Sequence, residues 1–251
     1  MLKSRKALSE VVSTVIIAGS LLIMAAIASW LATSMFEVQS QQAEVERAKE
    51  AFLNLAEAIE EVASKPGASA YVRFSPRAGG VEIQQNYATI KITIGDTTLP
   101  QYTTVAIRYR GGPYASIASS VIIRGGSWNS PLIVEGNTGV PVVWVYTDPS
   151  RGKYVYLDTA RVKITDLGEI ITKDGTYRVV EVLLITLKYG EAKAGAIVDT
   201  KVSCISKEVN VISGENINIV IEINSETSPP HQLSGKCIVY FVVSIVQVDF
   251  L

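Results

Sequence analysis

Hydrophobic and polar positions divide this chain of 251 residues into three successive patterns. Between Val11 and Phe36 no charged side chain occurs, a run of 26 residues. As a helix at about 1.5 Å per residue it reaches roughly 39 Å, more than the ~30 Å of a bilayer's hydrocarbon core. The run predicts a membrane-spanning helix. Beyond it, Val38, Val45, Ala48, Phe52, Leu55, Ile59 and Val62 recur at steps of three and four with one gap of seven. Glu44, Glu46, Arg47, Lys49, Glu50, Glu57, Glu60 and Glu61 fill the positions between. That spacing lines one face of an amphipathic helix. No Gly or Pro interrupts it before Pro66-Gly67, which cannot continue a helix. One continuous helix is therefore expected from about Ser9 to about Ser64. Its apolar face can be covered by the rest of the chain or by a neighbouring stalk.

From Ala68 onward the period shortens. Residues 71–74, 81–84, 89–94, 103–109, 118–123, 140–146, 154–157, 161–164, 177–187, 196–205, 217–223 and 237–248 are rich in apolar, β-branched and aromatic side chains. Gly79-Gly80, Gly95-Asp96, Gly111-Gly112-Pro113, Gly125-Gly126, Asp148-Pro149, Lys173-Asp174-Gly175 and Pro229-Pro230 punctuate them. These are strands and turns. Residues 236–248 are almost entirely apolar, too short for a membrane span and so read as a central strand covered on both faces. The predicted fold class is α+β: a long N-terminal hydrophobic and amphipathic helix, then a mostly antiparallel β-sandwich head, as one large sandwich or two small ones.

Charge sets the orientation. Lys3, Arg5 and Lys6 precede the apolar run, so the positive-inside rule keeps the N-terminus cytoplasmic and places the head outside the cell. The formal net charge of −1 gives no global basic field for nucleic acid. Outside the cell the two cysteines, Cys204 and Cys237, meet an oxidising environment, and a disulfide is expected. Closing a loop of about thirty residues, it is worth about 3 kcal/mol in the loop-entropy picture. The alternative is two free, buried cysteines acting as small hydrophobes.

An ordinary secretory signal has a shorter apolar region with its cleavage site behind it. Here the stretch KALSEVVSTVIIAG, following a basic run, resembles the processing region of archaeal type IV pilin precursors, with their class III signal peptide. The resemblance covers residues 3–36, extends more loosely over 37–75, and implies cleavage by a prepilin peptidase ahead of the apolar helix. Lys6 and Ala7 would precede the cut and Leu8 would become the new N-terminus. Losing residues 1–7 removes Lys3, Arg5 and Lys6 and moves the formal charge from −1 to −4. The organisation it implies is a leader at 1–7, a transmembrane and filament-core helix at 8–36, a helical stalk at 37–65 and an extracellular head at 68–251.

The partners implied are the peptidase, self or other pilin subunits, the pilus assembly platform with its ATPase, and the membrane. Glu10 stands where many archaeal pilins have Pro after Ser. It has two readings: a subunit contact, pairing with a neighbour's α-ammonium, or an interfacial carboxylate near the helix N-terminus. Without cleavage, the same N-terminus describes a membrane-anchored binding module or a stator-like component associated with the archaellum.

Chemistry leaves little trace. The sole histidine, His231, lies in SPPHQLSG, read as an exposed loop. No phosphate-binding glycine loop of the usual form occurs, and Asp148, Asp158, Asp166 and Asp174 resemble turn residues. No enzyme activity, metal or cofactor is expected. Tyr109, Tyr114, Trp128, Trp144 and Tyr146 cluster mid-head, either as an adhesive or subunit-contact surface or as alternate core positions. No Asn-x-Ser/Thr sequon is present.

Overall fold

The structure is a computed structural model and describes residues 3–115, 120–125, 132–134, 139–148, 152–192 and 198–251, with only the backbone described at 3–11, 132–134 and 192. Lys3–Ala63 form one uninterrupted helix, α1, of 61 residues. It stops where Pro66 removes a backbone donor and Gly67 turns left-handed at φ 80°. Its last carbonyls are captured by the head: Ser244 Oγ donates to Ala63 O at 2.8 Å and Lys207 Nζ to Ser64 O at 3.2 Å. A cation at a helix C-terminus also complements the helix dipole.

Thirteen strands follow among the described residues: β1 (Ser69–Phe74), β2 (Gly80–Ile94), β3 (Thr97–Thr98), β4 (Tyr102–Arg110), β5 (Val121–Arg124), β6 (Leu132–Val134), β7 (Val142–Asp148), β8 (Gly152–Asp158), β9 (Val162–Thr172), β10 (Gly175–Ala192), β11 (Val198–Ile223), β12 (Glu226–Thr227) and β13 (His231–Phe250). They join in the order β5-β7-β8-β4-β2-β11-β13-β10-β9-β6, with β1 and β12 on β11 and β3 on β2. All neighbours are antiparallel except β10 with β13 and β6 with β9. The architecture is thus α+β, a long apolar-to-amphipathic helix followed by a mostly antiparallel, sheet-rich domain.

Two apolar clusters hold the sheet. In the first, Val45, Phe52, Leu55, Ile59 and Val62 of α1 pack on inward positions of β4, β7, β8, β10, β11 and β13. The protein's own head therefore covers the amphipathic face, except at Val38, which stays 42% exposed. The second cluster joins Ile90, Ile92 and Ile94 of β2 to Val162 and Ile164 of β9, with β10, β11 and β13 between them. Strands four places apart share that core, and Leu187 of β10 donates its N–H to Thr104 Oγ1 of β4 at 3.0 Å. The sheet coils over on itself. β13 lies between β11 and β10 and is largely buried, as its apolar sequence requires.

Three expectations change. Cys204 faces Val246 and Cys237 faces Gly214 across the β11–β13 pair. Nine residues of β13 then separate the two positions, roughly 30 Å at about 3.4 Å per residue, whereas a disulfide needs Cα atoms within about 7 Å. No disulfide joins them. Both thiols are free and buried, one in each apolar cluster, and burial raises their pKa. His231 opens β13, opposite Ile219, instead of sitting in an exposed loop. The segments 81–84 and 89–94 are one strand, interrupted by a register shift at Gln84/Ala88 where Asn86 takes a positive φ. Likewise 196–205 and 217–223 belong to the single long β11, although 196–197 lie outside the described residues, as do Gly126, Trp128 and Pro149 and the first part of 118–123.

Candidate functional site

The feature of α1 that bears on function is the contrast between its halves. Every large apolar side chain from Val12 to Val38 is between 42% and 72% exposed. These include consecutive positions, Ile16-Ile17 and Leu21 to Met24, so the bare surface runs around the whole helix. Removing such side chains from water is worth about 1.5–3 kcal/mol each, and no part of the described head does so. By length and composition, with mean hydropathy 2.3 in its most apolar window, this helix can cross a membrane.

Polar groups within the apolar half are compatible with that medium. Ser20 Oγ donates to Ile16 O at 2.8 Å, Thr33 Oγ1 to Ser29 O at 3.0 Å and Ser34 Oγ to Trp30 O at 3.0 Å. Each of these three hydroxyls bonds back one turn, which satisfies its donor within the helix. Lys6, Ala7, Leu8 and Glu10 fall within the bounds of α1, and their side chains lie outside the described residues.

Where the helix meets the head, the Glu44 carboxylate gathers four donors. It accepts from the backbone N–H groups of Arg77, Ala78 and Gly79 at 2.8–3.3 Å and from Tyr109 Oη at 2.8 Å. Burial opposes ionisation of Glu44, but the bonds from Tyr109 and the three amides outweigh it and hold its pKa below the usual carboxylate range. Burial, together with the Glu44 bond, raises the Tyr109 hydroxyl. Gly79 is required there, because a Cβ would collide with the Tyr109 hydroxyl and the Arg110 carbonyl. One turn earlier, Gln41 Oε1 accepts from Tyr114 N at 2.7 Å. Further along, Arg124 of β5 bonds Glu60 at 2.6 Å and lies 3.6 Å from Glu57. These contacts fix the helix against the head next to the point where its surface becomes bare. The sequence marks Glu44 only as one charge among many; nothing in it signals that a loop 33 residues away will donate to it.

Replacing Glu44 with alanine is expected to cost about 1–2 kcal/mol at neutral pH, held down by solvent on the site's open side. A depressed carboxylate stabilises the fold above its ordinary pKa, and that contribution is lost as pH falls through the folded value. Denaturant titrations of wild type and E44A should therefore converge on acidification. A gap that widened at low pH would contradict the assignment.

The mid-head aromatics are divided. Tyr109 and Trp144 are buried, the latter stacked on Tyr156 at 5.2 Å with an interplanar angle of 6°. Tyr114 and Tyr146 remain 55% and 40% exposed, and Trp128 lies outside the described residues. They form no single surface among the described residues. No family model matches the chain, and neither a curated protein nor a solved structure matches it.

Proposed function

We propose that this chain is a structural subunit of an archaeal type IV pilus-like surface filament, made as a single-pass membrane precursor with its head outside the cell. The observation that carries the reading is α1: one unbroken helix, bare and apolar on all sides from Val12 to Phe36 and locked into the head from Val45 to Ala63. Such a rod is soluble in lipid before assembly. In a filament, sister rods replace acyl chains around it, so its surface need not change between the two environments. The head, read as a two-layer β-sandwich from the coiling of its sheet, remains on the outside. Prepilin peptidase removes residues 1–7, and the assembly platform and its ATPase draw the mature subunit from the bilayer.

Mass spectrometry of protein from native membranes or sheared filaments should find Leu8 at the N-terminus. Substituting Lys6 or Ala7 with a bulky acid should leave the leader attached and abolish surface assembly. An intact Met1 end on mature protein, with no polymer in the sheared fraction, would instead make the chain an anchored binding module.

A further inference from the structure

β11 is paired on both sides only near its ends. β1 covers residues 69–74 against 198–203, β2 covers 219–223, and between them β11 pairs with β13 alone. Among the described residues its other edge is open from Ile205 to Ile217, between Cys204, which exchanges backbone bonds with Gly67 and Ala68, and Asn218, whose carbonyl accepts from Gly95 N at 2.8 Å. Register shifts at Cys204/Ser206 and Glu215/Ile217 bracket a regular run, Ser206 to Glu215. An open edge of this kind presents a row of unsatisfied N–H and C=O groups to any incoming strand. Its side chains are exposed too: Val209 by 53% and Val211 by 58%.

From this edge we infer that the head pairs with a second copy of itself, β11 against β11, antiparallel and centred on Val211. Charge register selects this pairing. Lys207 and Glu215 lie four residues on either side of Val211. In an isologous antiparallel pair centred there, Lys207 of each copy stands opposite Glu215 of the other, giving two cross-strand ion pairs. Val211 meets Val211, and Val209 meets Ser213. Across the strand on the other face, Glu208 meets Gly214, so no like charges are opposed.

Lys207, Val209, Val211, Ser213 and Glu215 share the face on which α1 lies, opposite Ser244, Val242, Tyr240, Ile238 and Lys236 of β13. That face is bare here because the helix ends over Ser244. Charges on an edge usually keep copies apart; at these two positions they attract in one register. The β9 edge from Thr165 to Thr172, also open among the described residues, carries Asp166 and Glu169 and no cation, so two copies meeting there repel.

The two-fold axis of such a pair stands perpendicular to the sheet and reverses every direction within it. The two α1 helices lie on the same face and run opposite ways. Subunits oriented alike in one membrane or one filament cannot meet like this, so the contact joins oppositely oriented molecules, heads approaching from two filaments or two surfaces. It stands independently of the filament reading.

The test is cysteine cross-linking of the full chain in detergent, with wild type, whose two thiols are buried, as the blank. Under mild oxidation Val211→Cys should form a covalent dimer, and Ile171→Cys, on the β9 edge and 87% exposed, should not. Adding Glu215→Lys to Val211→Cys should lower the dimer yield at least tenfold, and further adding Lys207→Glu should restore it. Absence of a Val211→Cys dimer, equal cross-linking by Ile171→Cys, or charge changes without effect on yield would each overturn the pairing.

Discussion

Replacing Phe52 with alanine should lower the stability of the head by about 3–5 kcal/mol, the usual range for truncating a buried phenylalanine. Phe52 is fully buried, midway along the helical face that fills the first apolar cluster, and its ring meets Phe74 of β1 edge-on at 5.3 Å. Truncation opens a cavity between helix and sheet where neither can collapse, because α1 is tied on both sides of it. Upstream it is held at Glu44, and downstream at Ala63 and Ser64. At ~2–4 °C per kcal/mol for a domain of this size, the midpoint of thermal unfolding should fall by on the order of 10 °C. Phe36→Ala is the internal control: its ring is 72% exposed, and its loss should leave head unfolding unchanged. A loss below about 1 kcal/mol for Phe52→Ala would mean that the helix does not close the core.

The second large effect is a dependence on pH carried by Asp158. Its carboxyl is buried at the end of β8, where it accepts from Tyr87 Oη at 3.2 Å and from Ala160 N at 2.8 Å, with Arg161 beside it. Burial dominates and pushes its pKa up to about 6, against the stabilising pull of those donors and of Arg161; burial also lowers the Arg161 pKa. An acid whose folded pKa is raised holds its proton in the folded state while the unfolded chain has lost it. Its contribution is fully present below the ordinary Asp value and is lost as pH rises toward about 6. Two pKa units correspond to about 3 kcal/mol. Asp158→Asn cannot ionise, so wild type minus variant stability, measured by denaturant titration between pH 4 and 7, should fall by about that amount. If the difference grew with pH, Asp158 and Arg161 would be a net-stabilising ion pair, with the carboxylate favoured in the folded protein. Glu44 works in the opposite sense, so the two side chains can be separated by the sign of their pH slopes.

Elements defined by burial were legible in the sequence. The three-and-four spacing of Val45, Ala48, Phe52, Leu55, Ile59 and Val62 announced the face of α1, and the apolar run of 237–248 announced the central strand. Strand segments held by backbone pairing alone were not. Residues 206–216 of β11, 165–172 of β9 and 231–236 of β13 are mostly polar and mostly exposed, so no buried face imposes alternation on them. Their extended conformation is set by the strands to which they hydrogen-bond, β10 across a tight hairpin for 165–172 and the more distant β11–β13 pairing for the other two. The self-complementary edge of β11 lies in one of these stretches, which is why it escaped a reading built on hydrophobic period.

The sequence by itself determined the long helix, its apolar first half, its amphipathic second half and its stop, together with a strand-rich remainder. All of these follow from local spacing, side-chain transfer from water and the conformational limits of Pro and Gly. Tertiary structure alone decided that the stalk lies on its own head, that Cys204 and Cys237 stand far apart on paired strands, and that, among the described residues, β11 leaves its middle edge unpaired. Each of these depends on strand order and register, which bring distant segments together through backbone bonds that no local pattern of side chains encodes.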